Sequence, residues 1–356
     1  MNSSPFIRWG VVGCGQIAVD KSLPGLLAAP NARLVAIADP LEARRHLALE
    51  LAAKSGLAEV KAYSDISELL ADPDVEAVYI SLPTGMHKEA VIAAAHAKKA
   101  ILCEKPLGNS AEEVREMVRA ARENGVPLMT AYMSRFSDVF QKTAKLIREG
   151  AIGKVTFVTS HFSYPCSRYY PPGAPGGWRY TDAHGGGPLL DIGVYLAFGV
   201  REMLGERIAK VAPINCDTEV VIASRISDTT AAWFLTDQGT PGTLVTTFSH
   251  VGQYMNFFGT QGNITVNDCF YQTPGARLEM TDADGRSALT LDTKADASLP
   301  HFDNYRREFE HFSDTLLNKT QHHPSEDEVL SDALLLDTLK INITPLQVQT
   351  PADFLK

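Results

Sequence analysis

Apolar residues in the first third of the chain fall into short unbroken runs, separated by stretches with helical spacing. Phe6–Val12, Leu34–Ala38, Val75–Leu82, Ala100–Cys103 and Leu128–Met133 read as strands buried on both faces. Between them, Leu41–Lys54 has the apolar spacing of a helix and His87–Ala97 is an alanine-rich one. Ser110-Ala111-Glu112-Glu113 has the form of a capping box that opens a helix to Asn124, and Gly125 ends it. Gln16 to Asp20 predicts a short helix, and Ser22 ahead of Pro24 predicts the start of a second. Repeated strand–helix units with buried strands predict a parallel, doubly wound sheet.

The rhythm changes near Gly150. Val155–Phe162 alternates like a half-exposed strand, and Thr218–Ile226, Thr230–Leu235, Thr243–His250 and Asn263–Val266 repeat the pattern. A mostly antiparallel sheet is expected, interrupted by a Gly/Pro-rich loop over 171–187, with helices returning at Tyr305–Asn318 and Ser325–Lys340. A chain of 356 residues exceeds what one core usually holds. The expected class is α/β. One domain spans 1–133, and a second α/β domain with a large open sheet spans 134–356.

Candidate chemistry gathers at strand ends, where ligands bind in open parallel sheets. Gly13-Cys14-Gly15-Gln16-Ile17-Ala18 follows the first strand and opens a helix. Small residues there permit a sharp bend and close approach of a pyrophosphate, which a helix N-terminus receives with free N–H groups. Asp39 ends the next strand, where a carboxylate accepts adenosine ribose hydroxyls and repels a 2′-phosphate. That favours NAD, with NADP possible; a solvated turn before Pro40 would use the same residue. Glu104-Lys105-Pro106 closes the Ala100 strand. A lysine there can polarise a carbonyl or alcohol oxygen, and Glu104 can hold a cofactor sugar or orient the lysine. In Gly185-Gly186-Gly187-Pro188-Leu189-Leu190-Asp191-Ile192-Gly193-Val194-Tyr195, a helix from Pro188 puts Asp191 and Tyr195 one turn apart on one face. From spacing alone, a helix N-terminal aspartate and a core tyrosine are the simpler reading.

Charge narrows the partners. Acidic residues outnumber basic ones 42 to 33 without long runs, which argues against a nucleic-acid surface. No uncharged apolar run is long enough to span a bilayer, and the first residues carry no basic segment followed by an apolar stretch. Five scattered cysteines without a C-x-x-C pair fit a reducing compartment, so a cytoplasmic enzyme without a membrane partner is expected. His322-His323 near Glu326 and Asp327 lacks ligand spacing and reads as a solvated turn; no metal is expected. His301 starts a helix or reaches the cleft, and is left out of the site.

Together these motifs resemble the glucose–fructose oxidoreductase / inositol dehydrogenase / MocA (Gfo/Idh/MocA) family of nicotinamide-dependent enzymes. The resemblance rests on Gly13–Ala18, Asp39, Leu82-Pro83-Thr84 with His87, Glu104-Lys105-Pro106, Trp178-Arg179 and Gly185–Tyr195, in the family's order, and on Ser325-Glu326-Asp327. It implies a Rossmann domain that binds the dinucleotide through Gly13, Gly15, Gln16, Ile17, Asp39, Leu82, Pro83, Thr84, His87, Glu104 and Lys105. It places Trp178 and Arg179 near the nicotinamide. It further implies that Lys105 is catalytic and substrate-binding and that Asp191 has a substrate role. Many members carry histidine four residues after that aspartate. Tyr195 stands there instead, which is similar to the branch of aldose (xylose-type) and dihydrodiol dehydrogenases and implies that Tyr195 transfers the proton. The expected activity is NAD(P)-dependent hydride transfer at a hydroxyl or carbonyl carbon of a sugar, polyol or cyclic diol, in a homodimer or homotetramer. Two alternatives are an enzyme that recycles a tightly bound cofactor and a nucleotide sensor without turnover. The sensor would leave Lys105, Asp191 and Tyr195 without a task.

Overall fold

A computed structural model describes residues 5–171, 177–181, 185–216, 227–270, 276–293 and 303–341. The expected strand over 218–226, His301 and parts of the 171–187 loop lie outside the described residues.

Six parallel strands form the first sheet: β1 (Ile7–Val12), β2 (Ala32–Ala38), β3 (Lys61–Tyr63), β4 (Ala77–Ile80), β5 (Ala100–Glu104) and β6 (Leu128–Ala131). Their order is β3-β2-β1-β4-β5-β6, so the strand order reverses between β1 and β4 and opens a crevice there. Alternation along each strand feeds two cores. Val78, Ile80, Ile101 and Cys103 pack on one face, Ala77, Tyr79, Leu102 and Met129 on the other. Helix α1 (Leu23–Ala28) and α2 (Glu42–Lys54) cover the Tyr79 face. Helices α3 (Ile66–Ala71), α4 (His87–His96) and α5 (Ala111–Asn124) cover the other.

Two local predictions change in detail. The two helices expected after the glycine turn are joined, because a widened π-turn at Ala18–Ser22 runs directly into α1. Pro24 has no N–H to give, and a wider turn just before it accommodates that loss. Ser110 caps α5 through the Glu113 N–H, but the Glu113 carboxylate accepts from Asn109 N at 2.8 Å instead of closing the box on Ser110.

After α6 (Asp138–Arg148) the chain enters an eight-stranded sheet of order β14-β13-β12-β11-β7-β10-β9-β8. Its strands are β7 (Val155–Ser163), β8 (Ile208–Cys216), β9 (Thr229–Thr236), β10 (Pro241–Thr247), β11 (Gly252–Gly259), β12 (Gly262–Asn267), β13 (Ala276–Asp282) and β14 (Ser287–Thr293). All pairings are antiparallel except β7 with β10. Phe162, Leu244, Met255 and Phe257 point into a core with the helical run that contains α8 (Val194–Gly199). The other face carries Trp233, Ile214, Tyr254 and Phe258, all exposed. α7 (Cys166–Tyr169) is a single turn after β7.

The last helices return to the first sheet. On α9 (Asp303–Asn318), Phe309 meets Trp9 of β1 edge-on at 5.1 Å, and Trp9 Nε1 donates to Ser313 at 3.1 Å. α10 (Glu326–Lys340) opens with a full capping box between Ser325 and Glu328 and packs on α5. Among the described residues, no helix is long and apolar enough to cross a membrane. All five cysteines are free.

Candidate active site

The glycine turn has the shape a dinucleotide needs. Gly13 has φ of +89°, and a Cβ there would lie 2.5 Å from the Ser81 carbonyl oxygen, so only glycine fits the bend. A Cβ on Gly15 would meet nothing within 4 Å; this flank of the turn is open to a ligand, and the helical run begins just beyond it. The residues fit a bound dinucleotide. Asp39 is buried at the end of β2, and both its oxygens are engaged: Cys14 N donates to Oδ2 and Leu41 N to Oδ1, each at 2.9 Å. Arg44 stands 3.8 Å from Oδ2, and Arg45 donates to the Asp39 carbonyl at 2.6 Å. Asp39 therefore staples the glycine turn to the backbone just ahead of α2.

At the ends of β4 and β5 the loops are braced from behind. His87 is almost fully buried, with Nε2 2.8 Å from Leu82 O and Nδ1 3.1 Å from Pro106 O. Burial pushes its proton affinity down, so it is a neutral strut between the Leu82-Pro83-Thr84 loop and the Lys105–Pro106 turn, whose peptide bond is cis. Alternation on β5 turns Glu104 towards α9. There it accepts from Tyr79 OH at 2.6 Å and from Lys105 N at 3.1 Å.

Lys105 leaves the strand end towards the second sheet. Its Nζ donates to the Asp191 carbonyl at 2.8 Å, lies 3.8 Å from Asp191 Oδ1, and sits 4.8 Å above the centre of the Tyr195 ring. Asp191 lies in a π-turn, Leu189–Gly193, that leads into α8, and Tyr195 follows on the same buried face. The Asp191 Oδ2 atom accepts from Arg179 Nε at 3.1 Å and from the Tyr164 hydroxyl. Burial favours protonation of Asp191, but the Arg179 and Lys105 charges and the Tyr164 bond outweigh it and hold the carboxyl below its usual range. Burial lowers the proton affinity of Lys105, which Asp191 and Glu104 partly restore.

The glycine run explains how these groups meet. Gly185, at φ +74°, passes so close to Asn109 and Thr84 that a Cβ would lie 2.2 Å from Asn109 Oδ1. A Cβ on Gly186 would lie 2.4 Å from Arg179 O, and Gly187 N donates to that same carbonyl at 2.8 Å. The run thus wedges between loops of the first sheet and the Gly177–Tyr180 turn, fixing Arg179 beside Asp191. The Arg179 guanidinium lies over Tyr170 at 4.0 Å and over Trp178 at 4.5 Å. Tyr195 is enclosed by Tyr132, Phe162 and Phe270.

The structure therefore brings Lys105, Asp191, Tyr195, Arg179 and Trp178 to one place beside the glycine-turn crevice, with Glu104 and His87 behind. Sequence reasoning missed Tyr164, Tyr170 and Asn109. Tyr164 had a signal, since it lies at the end of β7 next to a proline. His323 also departs from expectation. It contacts Glu202 and Glu328, each at 3.0 Å, while Glu326 and Asp327 pair with Arg122. Those three could face a metal ion, but Arg201 and Arg135 already pair with the two carboxylates.

Comparison with known proteins decides the lineage. Residues 7–132 match the NAD-binding Rossmann fold of an oxidoreductase family, and residues 140–265 match the GFO/IDH/MocA C-terminal domain. The chain belongs to the Gfo/Idh/MocA family. It is 31% identical to dTDP-3,4-didehydro-2,6-dideoxy-alpha-D-glucose 3-reductase of Actinomadura kijaniata over 95% of this chain and 96% of that one. It is 32% identical to D-xylose 1-dehydrogenase (NADP(+)) 2 of Haloferax volcanii over 86% of this chain and 88% of that one. Among solved structures, KijD10, a 3-ketoreductase from Actinomadura kijaniata in complex with NADP and TDP-benzene, superposes with a TM-score of 0.78 at 26% identity, covering 94% and 97% of the two chains. Aldose-aldose oxidoreductase from Caulobacter crescentus shares the fold, with a TM-score of 0.81 at 22% identity over 94% and 96%. As a Gfo/Idh/MocA protein the chain is an NAD(P)-dependent oxidoreductase with an NAD-binding Rossmann fold.

Proposed function

We propose that this oxidoreductase interconverts a hydroxyl and a carbonyl on a sugar, polyol or cyclic diol, binding the cofactor in the 1–133 unit and the substrate against the 134–356 unit. The observation that carries the reading is the meeting of Lys105, Asp191 and Tyr195 beside the dinucleotide crevice. When bound, the nicotinamide accepts or supplies the hydride. Gly13, Gly15, Gln16, Ile17 and Asp39 hold the dinucleotide, and Leu82, Pro83 and Thr84 line its path to the strand ends. Trp178 and Arg179 close over the nicotinamide end.

In the oxidation direction Tyr195 takes the substrate hydroxyl proton. The Lys105 ammonium over its ring stabilises the phenolate this requires. Of the three Lys105 N–H bonds, one is spent on the Asp191 carbonyl, so others remain for a substrate oxygen. Asp191, kept ionised by Arg179, accepts from a neighbouring hydroxyl, and Tyr164 fixes its orientation. A nicotinamide absorbance assay across aldoses, inositols, cyclic diols and their keto forms, with NAD and NADP in parallel, tests the reading. Absence of turnover on every class by protein that binds the cofactor would sink it.

The same reading includes a homodimer or homotetramer in the cytoplasm. Trp233 and Ile214 are 61% and 67% exposed on the open sheet face, and Phe157 packs between Trp233 and Phe258. A second copy covering this face would bury a patch that monomers seldom display. Free thiols suit a reducing compartment.

A further inference from the structure

Two histidines meet at a polar end of the open sheet face, away from the residues assigned to the reaction. His161 lies on β7 and faces outward, whereas its neighbour Phe162 points into the core and meets the Tyr195 ring at 5.7 Å. His250 lies just beyond the end of β10 and is exposed. The two Nε2 atoms stand 3.2 Å apart, and His161 Nε2 is also 2.9 Å from Ser163 Oγ. Tyr254 stacks on the His161 ring at 5.1 Å, within 7° of parallel, and so fixes its plane. On β11 the residue paired with Ser163 is Gly252. A Cβ there would lie 3.1 Å from both His161 Nε2 and Ser163 Oγ, so glycine leaves the flank of these two atoms open.

Hydroxyl groups across the sheet set the tautomer of His250. Thr229 Oγ1 donates to Asp228 Oδ1 at 2.9 Å. Thr247 Oγ1 lies 2.7 Å from Thr229 Oγ1 and 3.0 Å from Ser249 Oγ, and Ser249 Oγ lies 2.8 Å from His250 Nδ1. Each hydroxyl has a single proton to give. With that of Thr229 spent on the carboxylate, every contact is satisfied when Thr247 donates to Thr229, Ser249 to Thr247, and His250 Nδ1–H to Ser249. His250 Nε2 then carries a lone pair on the side of His161. A histidine whose second ring N–H is held by an oriented oxygen is prepared to ligate a metal.

We propose that His161 and His250 bind a divalent transition-metal ion of the imidazole-preferring kind, such as zinc, with Ser163 Oγ and water completing its shell. Two nitrogens ~2.0–2.1 Å from one tetrahedral ion stand about 3.3 Å apart, a spacing the two rings already have. Unlike Glu202 and Glu328, these side chains have no arginine paired with them among the described residues. Binding moves the His161 proton from Nε2 to Nδ1, so both imidazoles ligate as neutral groups. Imidazole nitrogen favours zinc, nickel and copper, whereas magnesium and calcium want oxygen. The ion ties β7 to the turn between β10 and β11 on the face of the sheet opposite Tyr195.

Calorimetric titration of the full, untagged chain with zinc, and with magnesium as the control, tests this. One zinc per chain should bind, and magnesium should not. Ser249→Ala should weaken zinc by the ~10–100-fold that loss of an outer-shell partner costs, and His161→Gln and His250→Gln each by more. Gly252→Ala should weaken it too, by filling the open flank. The melting temperature should rise with zinc in the wild type and stay put in His250→Gln, whose turnover should match the wild type. With copper(II) as the probe, electron paramagnetic resonance should show two ring nitrogens in the wild type and one in either histidine variant. No zinc binding by the wild type, or binding that His250→Gln leaves unchanged, overturns the site. A Ser249→Ala isotherm identical to that of the wild type overturns the oriented lone pair on which the site rests. If His161→Gln does not fold, the exposed His250 variant and the copper spectrum decide.

Discussion

Tyr195 lies in an aromatic box with Lys105 above its ring, and this geometry gives the most direct prediction. A free phenol ionises near pH ~10, so at neutral pH it serves as a base only with a cation beside it. Tyr195→Phe should lower turnover by about 10²–10⁴-fold with cofactor affinity almost unchanged, because no phosphate contact is lost. Near-normal turnover in that variant would make Tyr195 a packing residue. The proposed cofactor preference rests on Asp39. NAD(H) should bind more tightly than NADP(H), and Asp39→Ser should narrow the gap while weakening both, since the serine cannot replace both N–H contacts to Cys14 and Leu41. Fluorescence titration with the two cofactors checks it. Equal affinities in the wild type would instead assign the 2′-phosphate to Arg44 and Arg45. Lys105 and Asp39 were legible in the sequence because a charged residue directly after a buried strand is conspicuous. Asn109 and Tyr170 were not: both lie in bends outside the regular elements, and nothing in their spacing marks them.

At the level of elements, the strands buried on both faces were readable from unbroken apolar runs. β8 and β11 were not, because Lys210 and Pro213 in one and Gly252 and Phe258 in the other break the alternation. The start of α10 was partly readable. Its serine cap is visible in the sequence, but the charge network behind it is assembled by tertiary contact. Arg201 holds Asp332 through two bonds of 3.2 and 3.0 Å, and also meets Glu328, while His323 bridges Glu202 and Glu328. Hydrogen bonds that His323 donates to those two carboxylates raise its proton affinity above the ordinary value. A histidine whose folded-state pKa is raised adds stability fully present below its unfolded pKa, lost as pH rises through the folded one. The melting temperature should therefore fall as pH rises from about 6.5, the ordinary histidine value, through the raised folded-state value, and His323→Gln should flatten that slope. An unchanged slope in the variant would place the titrating group elsewhere.

For the whole molecule, the proposed assembly uses the open sheet face, and that can be tested. Trp233→Glu should shift the protein towards monomer in sedimentation or light scattering, since a charge facing its own symmetry mate in an apolar patch is disfavoured. The described site draws its residues from one chain, so the monomeric variant should keep measurable turnover. A variant that stays fully associated would mean that another surface joins the copies.

The return of α9 to Trp9 has a consequence for biosynthesis. Trp9 of β1 emerges from the ribosome about three hundred residues before Phe309 and Ser313 arrive to cover it. At ~5–20 residues per second, Trp9 and its neighbours wait on the order of tens of seconds for their last partner. In chain order the second sheet is an insertion into the first unit, and the nascent protein must tolerate an uncovered apolar flank while that insertion is made. A fragment of residues 1–133, expressed alone, should accumulate as aggregate, and supplying the α9 segment in trans should raise its soluble yield. A soluble, cooperatively melting fragment would show that α1 and α2 suffice to cover that flank.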